Sequence, residues 1–551
     1  MLLRRKIVLS LLFCLIAAWP SLSLAQQGGS VVSDNELATK AGIEILKAGG
    51  NAVDAAVATA FALGVVDPVA SGLGGGGFMV IYQAKEKKAH VLDFRETAPA
   101  AARREQYLKD GKPAQSLSLT GPLAVAVPGE VAGLTEALKR FGTLPLATVM
   151  APAVRYATDG FPVQRRLRFG IERALPSIRK FPDLARVMLV QNEVPGEGEM
   201  LRQRELGQSL KAIAEQGPQV FYEGWIGQAI AERLKKEGGA LTIDDLKSYK
   251  PVWREPIIGH YRKWMVITMP PPSSGGIALI EMLNVLEKYQ LGLMAHNSAA
   301  YLHLIAEAMK HAFADRAQYL GDPDFVQMPT DKLISKEYAT WIRGRISPTK
   351  TYPPKYYGLA PFKAEKGGTS HLGVVDKSGN AVSCSLSINT RFGSKILVPE
   401  TGIVLNNEMD DFAIQLGPLT GAEANSLQPK KRPLSSMTPT IILESDRPAL
   451  VVGATGGSRV PSATLQAVLN ILDFRMPLKQ AVESPRIHHQ WMPDEIVVES
   501  KISASTRKSL ERFGHTVRER DALVLVQAIT AKRSKLTAAA DPRREEKMRA
   551  E

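Results

Sequence analysis

The stretch from residue 367 to residue 411 constrains this chain most, because it places a hydroxyl residue at the start of a predicted strand, directly after two glycines. It begins GGTSHLGVVDKSGNAVSCSLSI. LGVVD is typical of an apolar strand, the KSGN at 377–380 is typical of a hairpin turn, and AVSCSLSI alternates as a second strand does. The pattern therefore predicts a β-hairpin that begins at Thr369.

A threonine in this position allows two interpretations. It can be an ordinary edge residue of a hairpin, which is what short local matches of this kind most often are. Alternatively, the chain is cut before Thr369, whose hydroxyl then becomes a nucleophile with the freed α-amine as its base. An α-amine titrates at a pKa of about 7.7–8.0, so it can accept the hydroxyl proton near neutral pH. The local pattern alone favours the first interpretation.

Several separated blocks favour the second interpretation, because together they resemble the γ-glutamyltransferase family of N-terminal-nucleophile hydrolases. The resemblance runs from about Ala38 to Arg543 and rests on NAVDAAVA, SGLGGGGFM, DFRETAP, NNEMDD, PLSSM and GATGGSR. It implies a precursor that cuts itself between Gly368 and Thr369 into a large subunit, residues 26–368, and a small subunit, residues 369–551, which stay associated. The implied fold is α+β, a four-layer αββα sandwich built by both subunits.

The N-terminus predicts a secretory signal that is not part of the fold. A basic Arg4-Arg5-Lys6 precedes the apolar run IVLSLLFCLIAAW, and Ser23-Leu24-Ala25 has the small-x-small pattern of a cleavage site. The apolar run is short for a transmembrane span, although an uncleaved membrane anchor is the alternative interpretation. We therefore expect residues 1–25 to be removed, no stable membrane span, and a periplasmic or secreted protein.

Cysteine content argues against a disulfide-stabilised fold, and the distribution of charge argues against a nucleic-acid-binding protein. Cys14 leaves with the signal, so the mature chain keeps only Cys384, which cannot form an internal disulfide and is expected to be a buried apolar residue. Removal of three positive residues lowers the net charge from +14 to about +11. The basic residues are dispersed and no zinc-finger spacing is present, so we expect no nucleic-acid partner.

Glycine-rich and helical patterns fill the large-subunit region. Residues 36–66 predict two helices joined at Gly49-Gly50-Asn51. The GLGGGG at 72–77 matches a dinucleotide fingerprint only formally, because a helix precedes it and a strand follows; the glycines favour close backbone approach near a catalytic centre. From about 130 to 345 the pattern predicts mainly helices. Residues 346–368 are rich in proline, glycine and lysine, which predicts a mobile segment before the cut.

The resemblance also assigns substrate-binding residues. Arg95, in DFRETAP, corresponds to the arginine that binds the α-carboxylate of the γ-glutamyl group, whereas a lone arginine would otherwise indicate a surface salt bridge. Ser435 and Ser436 are the implied hydroxyl contacts to the same carboxylate. The implied contacts to the substrate α-amine are Asn389, Glu408 and Asp411. Many bacterial relatives carry glutamine where Glu408 stands.

The remaining implied catalytic groups are hydroxyl and backbone groups. Ser387 occupies the position of a family threonine that hydrogen-bonds the nucleophile. Gly456 and Gly457 are the oxyanion-hole candidates, since paired N–H groups can stabilise a developing negative charge; a lone Gly-Gly would otherwise indicate a tight turn. His371 is not expected to act as the base. Adjacent His488 and His489 lack metal-ligand spacing, and no metal or organic cofactor is implied.

The resulting hypothesis is an autoprocessed γ-glutamyltransferase and glutathione hydrolase. It would cleave the γ-glutamyl amide of glutathione and related compounds through a γ-glutamyl-enzyme ester, and pass the group to water or to amino acid and peptide acceptors. One alternative is an acylase for glutaryl-β-lactams or poly-γ-glutamate, although Asn389 and Asp411 suit an α-ammonium that a glutaryl group lacks. Another is an unprocessed secreted protein that binds γ-glutamyl peptides.

One connection departs from many bacterial relatives, in which a tyrosine-bearing lid follows the MDDF block. Here residues 413–432, AIQLGPLTGAEANSLQPKKR, form a shorter connection with no tyrosine. The departure predicts an open site, which water enters easily, and a large share of hydrolysis relative to transfer.

Overall fold

The computed structural model of the protein describes residues 28–358, 368–414, 423–532 and 535–544. The predicted signal, residues 1–25, therefore lies outside the described residues. Within the described ranges, no helix is both long and apolar enough to cross a membrane.

Two antiparallel six-stranded sheets form the centre of the molecule. The strands are β1 Gly29–Ser33, β2 Gly76–Gln83, β3 Lys88–Phe94, β4 Val252–Arg254, β5 Ile257–Tyr261, β6 Trp264–Thr268, β7 Thr369–Asp376, β8 Ala381–Ser387, β9 Thr440–Glu444, β10 Arg447–Thr455, β11 Leu525–Lys532 and β12 Lys535–Ala540. The first sheet has the order β1-β7-β8-β2-β3-β4, and the second has the order β12-β11-β10-β9-β6-β5. Strands β7 and β8, which carry Thr369 and Ser387, thus lie inside the first sheet.

The two sheets pack face to face through one apolar layer. In β2, Phe78, Val80 and Tyr82 enter this layer, while Met79 and Ile81 between them point to the opposite face. This alternation follows from the two-residue repeat of a strand, and a continuous apolar run indicates burial on both faces. The second sheet contributes Ile441 and Val451, among others.

Helices cover both outer faces of the sheet pair. The helices that share an apolar core with the first sheet are α1 Glu36–Lys47, α2 Ala52–Val66, α3 Glu130–Phe141, α4 Leu146–Asp159 and α5 Arg165–Ile178; those that share a core with the second are α6 Gly275–Leu286, α7 Ala299–Tyr319 and α8 Val460–Leu472. Every residue of the alanine-rich α2 is buried, as is typical of a helix that is mainly apolar on all sides. The four-layer αββα sandwich predicted from the resemblance is therefore confirmed.

Shorter elements complete the outer parts of the fold. The remaining α-helices are Gln115–Leu119, Pro182–Met188, Arg204–Gln216, Gln219–Tyr222, Trp225–Lys236, Ile243–Ser248, Thr330–Leu333, Lys336–Arg343, Leu478–Glu483 and Ala504–Arg512. A small sheet joins Ile487–His488, Ile496–Glu499 and Val517–Arg520, and short strand pairs join Leu108–Lys109 to Lys112–Pro113, Phe161–Pro162 to Met200–Leu201, and Leu397–Val398 to Ile403–Val404.

The local predictions have mixed outcomes. The hairpin at Thr369 is confirmed, as are the two helices within residues 36–66, and Cys384 is buried in the apolar layer under the helices. The helical prediction for residues 130–345 is wrong at 252–268, where the chain forms β4, β5 and β6. These strands are short and complete both sheets, so long-range pairing decides their conformation.

The segment before the predicted cut divides into two parts. Residues 346–358, predicted to be mobile, instead pack against α7: the hydroxyls of Thr351 and Tyr357 each donate a hydrogen bond of 2.6 Å to the buried carboxylate of Glu307. Lys310 donates to Thr351 at 2.7 Å. Residues 359–367 lie outside the described residues.

Candidate active site

The start of β7 places Thr369 at the centre of the site. Thr369 is buried and pairs with Ser387 at the end of β8, so the hairpin register brings the two hydroxyl residues side by side. The Ser387 hydroxyl donates to the carbonyl oxygen of Gly368 at 3.1 Å and accepts a hydrogen bond from the Asn389 N–H at 2.8 Å. The hydroxyl predicted to contact the nucleophile therefore contacts the bond predicted to be cut.

The glycine-rich block packs directly beneath this hairpin. A Cβ at Gly75 would clash with the carbonyl oxygen of Ser387, and one at Gly74 would clash with the carbonyl oxygen of Val404. Only glycine allows backbones to approach this closely. The block therefore supports the end of β8, and it lies against the catalytic hairpin as the sequence predicted.

One pocket, with an empty volume of about 280 Å³, gathers most of the predicted residues. Its lining consists of Arg95, Thr369, Ser387, Asn389, Glu408, Asp411, Ser435, Ser436, Met437, Gly457 and Val460. Of the predicted residues, only Gly368 and Gly456 are absent from this lining, and each is the chain neighbour of a residue in it. Residues up to 365 positions apart, Arg95 and Val460, thus line the pocket that contains Thr369.

Arg95 is buried at the end of the pocket that carries the acidic side chains. Its guanidinium bonds the Glu408 carboxyl and donates to the Asp411 carboxylate at 2.5 Å. Its Nε donates to the carbonyl oxygen of Pro433 at 3.2 Å. The groups predicted to bind the two charges of a zwitterion are thus paired with each other, so a substrate must replace part of this pairing.

More carboxyl groups than cations are buried around Arg95. Glu96 lies 3.6 Å from the Arg95 guanidinium and is fully buried, and neither of its carboxyl oxygens has a hydrogen-bond partner. Burial raises the pKa of Glu96 to about 7 and raises the pKa of Glu408 well above its usual range. One guanidinium cannot balance the buried Glu96 and Glu408 together with Asp411, so burial favours the protonated forms of Glu96 and Glu408.

Ser435 and Ser436 are supported by Arg316, a residue outside the pocket lining that the sequence did not predict. Arg316, on α7, donates to the Ser436 hydroxyl at 3.3 Å and to the Ser274 hydroxyl at 2.8 Å. Ser274 in turn donates from its hydroxyl to the carbonyl oxygen of Ser435 at 2.7 Å. Arg316, in a segment that the sequence analysis predicted only to be helical, therefore contacts the Ser436 hydroxyl and supports the backbone of Ser435 through Ser274.

Tyr249 is a second residue that sequence reasoning missed. Its hydroxyl donates to the backbone carbonyl oxygen of Arg95 at 2.8 Å, and its ring stacks on Tyr222 with 5.9 Å between ring centroids. No local pattern around Tyr249 indicates this contact, because the two residues are 154 positions apart.

The oxyanion-hole candidates lie where β10 passes into α8. Gly456 and Gly457 have φ angles of +125° and +62°, in the left-handed region that favours glycine. The turn at Gly457–Arg459 leads directly into the N-terminus of α8, where backbone N–H groups and the helix dipole favour negative charge. The location suits stabilisation of an oxyanion beside Thr369.

The histidines set aside from the sequence lie outside the pocket lining. The His371 ring packs against Gly453 and bonds the Ser385 hydroxyl at 2.9 Å, and burial lowers its pKa to about 3. His488 bonds Ser462 at 2.8 Å and Gln490 at 3.0 Å. These contacts account for His371 and His488 as structural residues.

A separate buried cluster brings together three groups of metal-ligating type, His303, Glu307 and His515. Most of their polar atoms are already engaged with protein groups, and His515 Nδ1 is the exception. His303 Nδ1 lies 2.8 Å from His515 Nε2, His303 Nε2 bonds the Ser347 carbonyl oxygen at 2.7 Å, and Glu307 accepts two hydroxyl hydrogen bonds. Lys310 lies 4.0 Å from Glu307 and adds a positive charge beside the cluster.

Asn425 links the two ends of the connection that follows the acidic residues. Asn425 donates from its amide to the carbonyl oxygen of Asp411 at 2.7 Å and accepts from the Leu434 N–H at 2.9 Å. Residues 415–422, in the middle of this connection, lie outside the described residues.

Comparisons with known proteins agree with this arrangement. The family model described as Gamma-glutamyltranspeptidase matches residues 38–550. The glutathione hydrolase proenzyme of Escherichia coli is 43% identical over 526 residues, which cover 94% of this chain and 90% of that protein. The crystal structure of cephalosporin acylase from Bacillus halodurans has a TM-score of 0.83 at 30% identity and covers 96% of this chain and 97% of that one.

The crystal structure of Helicobacter pylori gamma-glutamyltranspeptidase is similar to a part of the fold. It has a TM-score of 0.59 at 39% identity, and the match covers 60% of this chain and 95% of that one. The family model and the E. coli relative both span nearly the whole chain, and most of the site residues predicted from the sequence line one pocket in this structure. The chain therefore belongs to the gamma-glutamyltranspeptidase family.

Proposed function

We propose that this protein cuts itself between Gly368 and Thr369 and then acts as a glutathione hydrolase and γ-glutamyltransferase. The convergence of Thr369, Arg95 and Asp411 on one pocket is the observation that carries the proposal. It combines a nucleophile with a cation and an anion, and a γ-glutamyl group ends in an α-carboxylate and an α-ammonium. The name of the E. coli relative, a glutathione hydrolase proenzyme, agrees with both parts of the proposal.

The proposed reaction uses the groups that the cut creates. The α-amine of Thr369 takes the proton of its own hydroxyl, and the hydroxyl oxygen attacks the γ-carbonyl carbon of the substrate. N–H groups near Gly457 stabilise the oxyanion. When the γ-amide C–N bond breaks, the leaving amine takes the proton back from the α-ammonium. The γ-glutamyl ester on Thr369 then transfers to water or to the amine of an amino acid or peptide.

The substrate enters a site in which Arg95 already has acidic partners. Its carboxylate would take the place of an acidic partner of Arg95, and its ammonium would contact Asp411 and Asn389. Ser435 and Ser436, held by Arg316, would add hydroxyl contacts to the carboxylate. Specificity for the α-amino acid end follows, because a group lacking the ammonium would not make the contacts to Asp411 and Asn389.

The first test is the state of the purified chain. Intact-mass measurement and N-terminal sequencing of the wild type are expected to give two fragments, the smaller beginning Thr-Ser-His-Leu. Thr369→Ala is expected to remain one chain, whereas Thr369→Ser keeps a hydroxyl and is expected to be cut. A wild-type chain that stays uncut and releases no glutamate from glutathione would contradict the proposal and favour the γ-glutamyl-peptide binding protein.

A second candidate function is an acylase that acts on glutaryl-β-lactams. The overall similarity to the Bacillus halodurans cephalosporin acylase, with a TM-score of 0.83, favours it. Asn389, which is buried, and Asp411, which also lines the pocket, favour the γ-glutamyl substrate. Turnover of glutaryl-p-nitroanilide and γ-glutamyl-p-nitroanilide by the same preparation separates the two, because an acylase would prefer the glutaryl compound.

We also propose that the protein acts outside the cytoplasm. The basic, apolar and small-x-small segments at residues 1–25 support export through a cleaved signal. Fractionation of the native host followed by N-terminal sequencing tests this, and a cytoplasmic large subunit that still begins at Met1 would contradict it.

A further inference from the structure

Among the described residues, the first three residues of β7, the strand that carries Thr369, have a strand neighbour on one side only. On one side β8 pairs with β7 from Thr369 onward. On the other side β1 ends at Ser33, opposite Leu372, so residues 369–371 extend past it. An unpaired strand end frays easily, and a cut before Thr369 would make this end a chain terminus.

Side-chain carboxylates lie beside residues 369–371, where a longer β1 would otherwise pair with β7. Asp34, the residue after β1, accepts the His371 N–H at 3.2 Å, in place of a carbonyl of a neighbouring strand. Asp67, the residue after α2, lies 3.4 Å from the Ser370 hydroxyl. Each of the two residues that follow the nucleophile thus contacts a different buried acid.

One arginine connects the two acids. Arg166, at the start of α5, donates from Nε to Asp67 at 2.9 Å, and its Nη2 lies 3.7 Å from Asp34. Gln527 of β11 donates to the other oxygen of Asp34 at 2.6 Å. The pocket around Thr369 includes none of Asp34, Asp67 and Arg166 among its lining residues, so they do not touch a substrate bound there.

We propose that Asp34, Asp67 and Arg166 form a positioning unit that holds the first residues of β7, and with them Thr369, in place before and after the cut. This inference rests on the proposed function, since it concerns how Thr369 reaches its target carbonyl. Buried ionic groups cost desolvation energy, and here they replace the hydrogen bonds that a longer β1 would supply. Displacing a reacting group by about 1 Å can slow a reaction roughly a hundredfold.

The test compares variants of the unit with a matched control elsewhere. Asp34→Ala and Arg166→Met remove the acceptor and the cation of the unit. Arg543→Met is the control, because Arg543 is also a buried arginine between two acids, Glu499 at 2.6 Å and Asp541 at 3.0 Å. Self-cleavage rate, kcat and KM with γ-glutamyl-p-nitroanilide, and Tm are measured for each.

We expect Asp34→Ala and Arg166→Met to slow self-cleavage and lower kcat by roughly ten- to a hundredfold, with KM of the cut enzyme within about twofold of wild type, because the pocket lining is intact. Asp34→Asn keeps an oxygen acceptor and Arg166→Lys keeps a cation, so both are expected to recover most of kcat. Arg543→Met is expected to lower Tm and leave kcat within about twofold.

Two results would overturn the inference. One is wild-type self-cleavage and kcat in Asp34→Ala and Arg166→Met. The other is an equal loss in Arg543→Met, which would assign the effect to general stability. A wild type that cuts itself but turns over no γ-glutamyl compound would overturn the proposed function alone, and the cleavage rates of the variants would still decide the inference about positioning.

Discussion

The side-chain hydroxyl of Ser387 donates a hydrogen bond of 3.1 Å to the carbonyl oxygen of Gly368. This carbonyl belongs to the peptide bond that precedes Thr369, and the β7–β8 register fixes the contact because Thr369 lies opposite Ser387. A donor at this oxygen stabilises the negative charge that develops when the Thr369 hydroxyl attacks the carbonyl carbon. The residue predicted to assist the mature nucleophile is therefore placed to assist its formation.

We expect Ser387→Ala to slow self-cleavage by about 10²- to 10³-fold, the loss typical of one oxyanion donor. Ser387→Thr keeps the hydroxyl and is expected to cut at a rate close to wild type. The cut fraction followed over time on a denaturing gel measures both rates. Cleavage of Ser387→Ala within twofold of the wild-type rate would contradict the role of this hydrogen bond.

Glu408 and Asp411 are expected to differ in their effect on substrate affinity, although both bond Arg95. Burial raises the pKa of Glu408 well above its usual range, and glutamine is the isostere of a protonated glutamate. Glu408→Gln is therefore expected to leave KM for γ-glutamyl-p-nitroanilide within about twofold at pH 6–7. Asp411→Asn removes a charge that faces the substrate ammonium, and a charged hydrogen bond of about 1.5–3 kcal/mol corresponds to at least a tenfold rise in KM. Equal rises in the two variants would contradict this distinction.

The buried carboxyl pair between α6 and α7 is expected to make stability depend on pH. Burial raises the pKa of Asp315 to about 6 and that of Glu281 well above its usual range, while the Tyr338 hydroxyl donates to Asp315 at 2.8 Å. The folded protein keeps protons that the unfolded chain releases above about pH 4, so the free energy of unfolding falls as pH rises through 4–6 and beyond.

Glu281→Gln removes one of these titrating groups. We expect its Tm to fall less than that of wild type between pH 5 and pH 8, and to exceed the wild-type value by a few degrees at pH 8. Glu44→Gln, at an exposed ion pair with Arg155, is the control and is expected to follow the wild-type pH dependence. An equal loss of Tm at every pH in Glu281→Gln would indicate a packing defect instead.

The short connection at residues 413–432 is expected to favour hydrolysis over transfer. Asn425 in this connection donates a hydrogen bond to the carbonyl oxygen of Asp411, and the connection contains no tyrosine to cover the pocket. Water therefore competes directly with amine acceptors for the γ-glutamyl ester. The ratio of glutamate to transfer product, measured with and without a dipeptide acceptor, tests this; near-exclusive transfer at low acceptor concentration would contradict it.

Sequence predicted most of the pocket because its residues lie in recognisable blocks. The hairpin register that joins Thr369 to Ser387 follows from a two-strand pattern and a four-residue turn. The resemblance placed Arg95 and Asp411 together although local pattern says nothing about residues 316 positions apart.

Sequence patterns could not predict the contacts that support the pocket from residues outside its lining. Asp34, Arg166, Tyr249 and Arg316 are ordinary charged or aromatic residues in their local context, and each acts across at least 99 positions. The strands at 252–268 were missed for the same physical reason, because partners far away in the chain decide whether a short segment forms a strand. Such contacts are properties of the tertiary structure alone.

The order of the strands limits what a break before Thr369 can change. In the first sheet, β7 and β8 lie between β1 and β2, and in the second, β9 pairs with β6. Strands from before and after the break therefore share both sheets and the apolar layer between them. The two pieces would unfold together in a single cooperative transition. Neither piece could be replaced by another copy of itself unless the other piece also unfolded. A nicked molecule would thus keep its original partner for its lifetime.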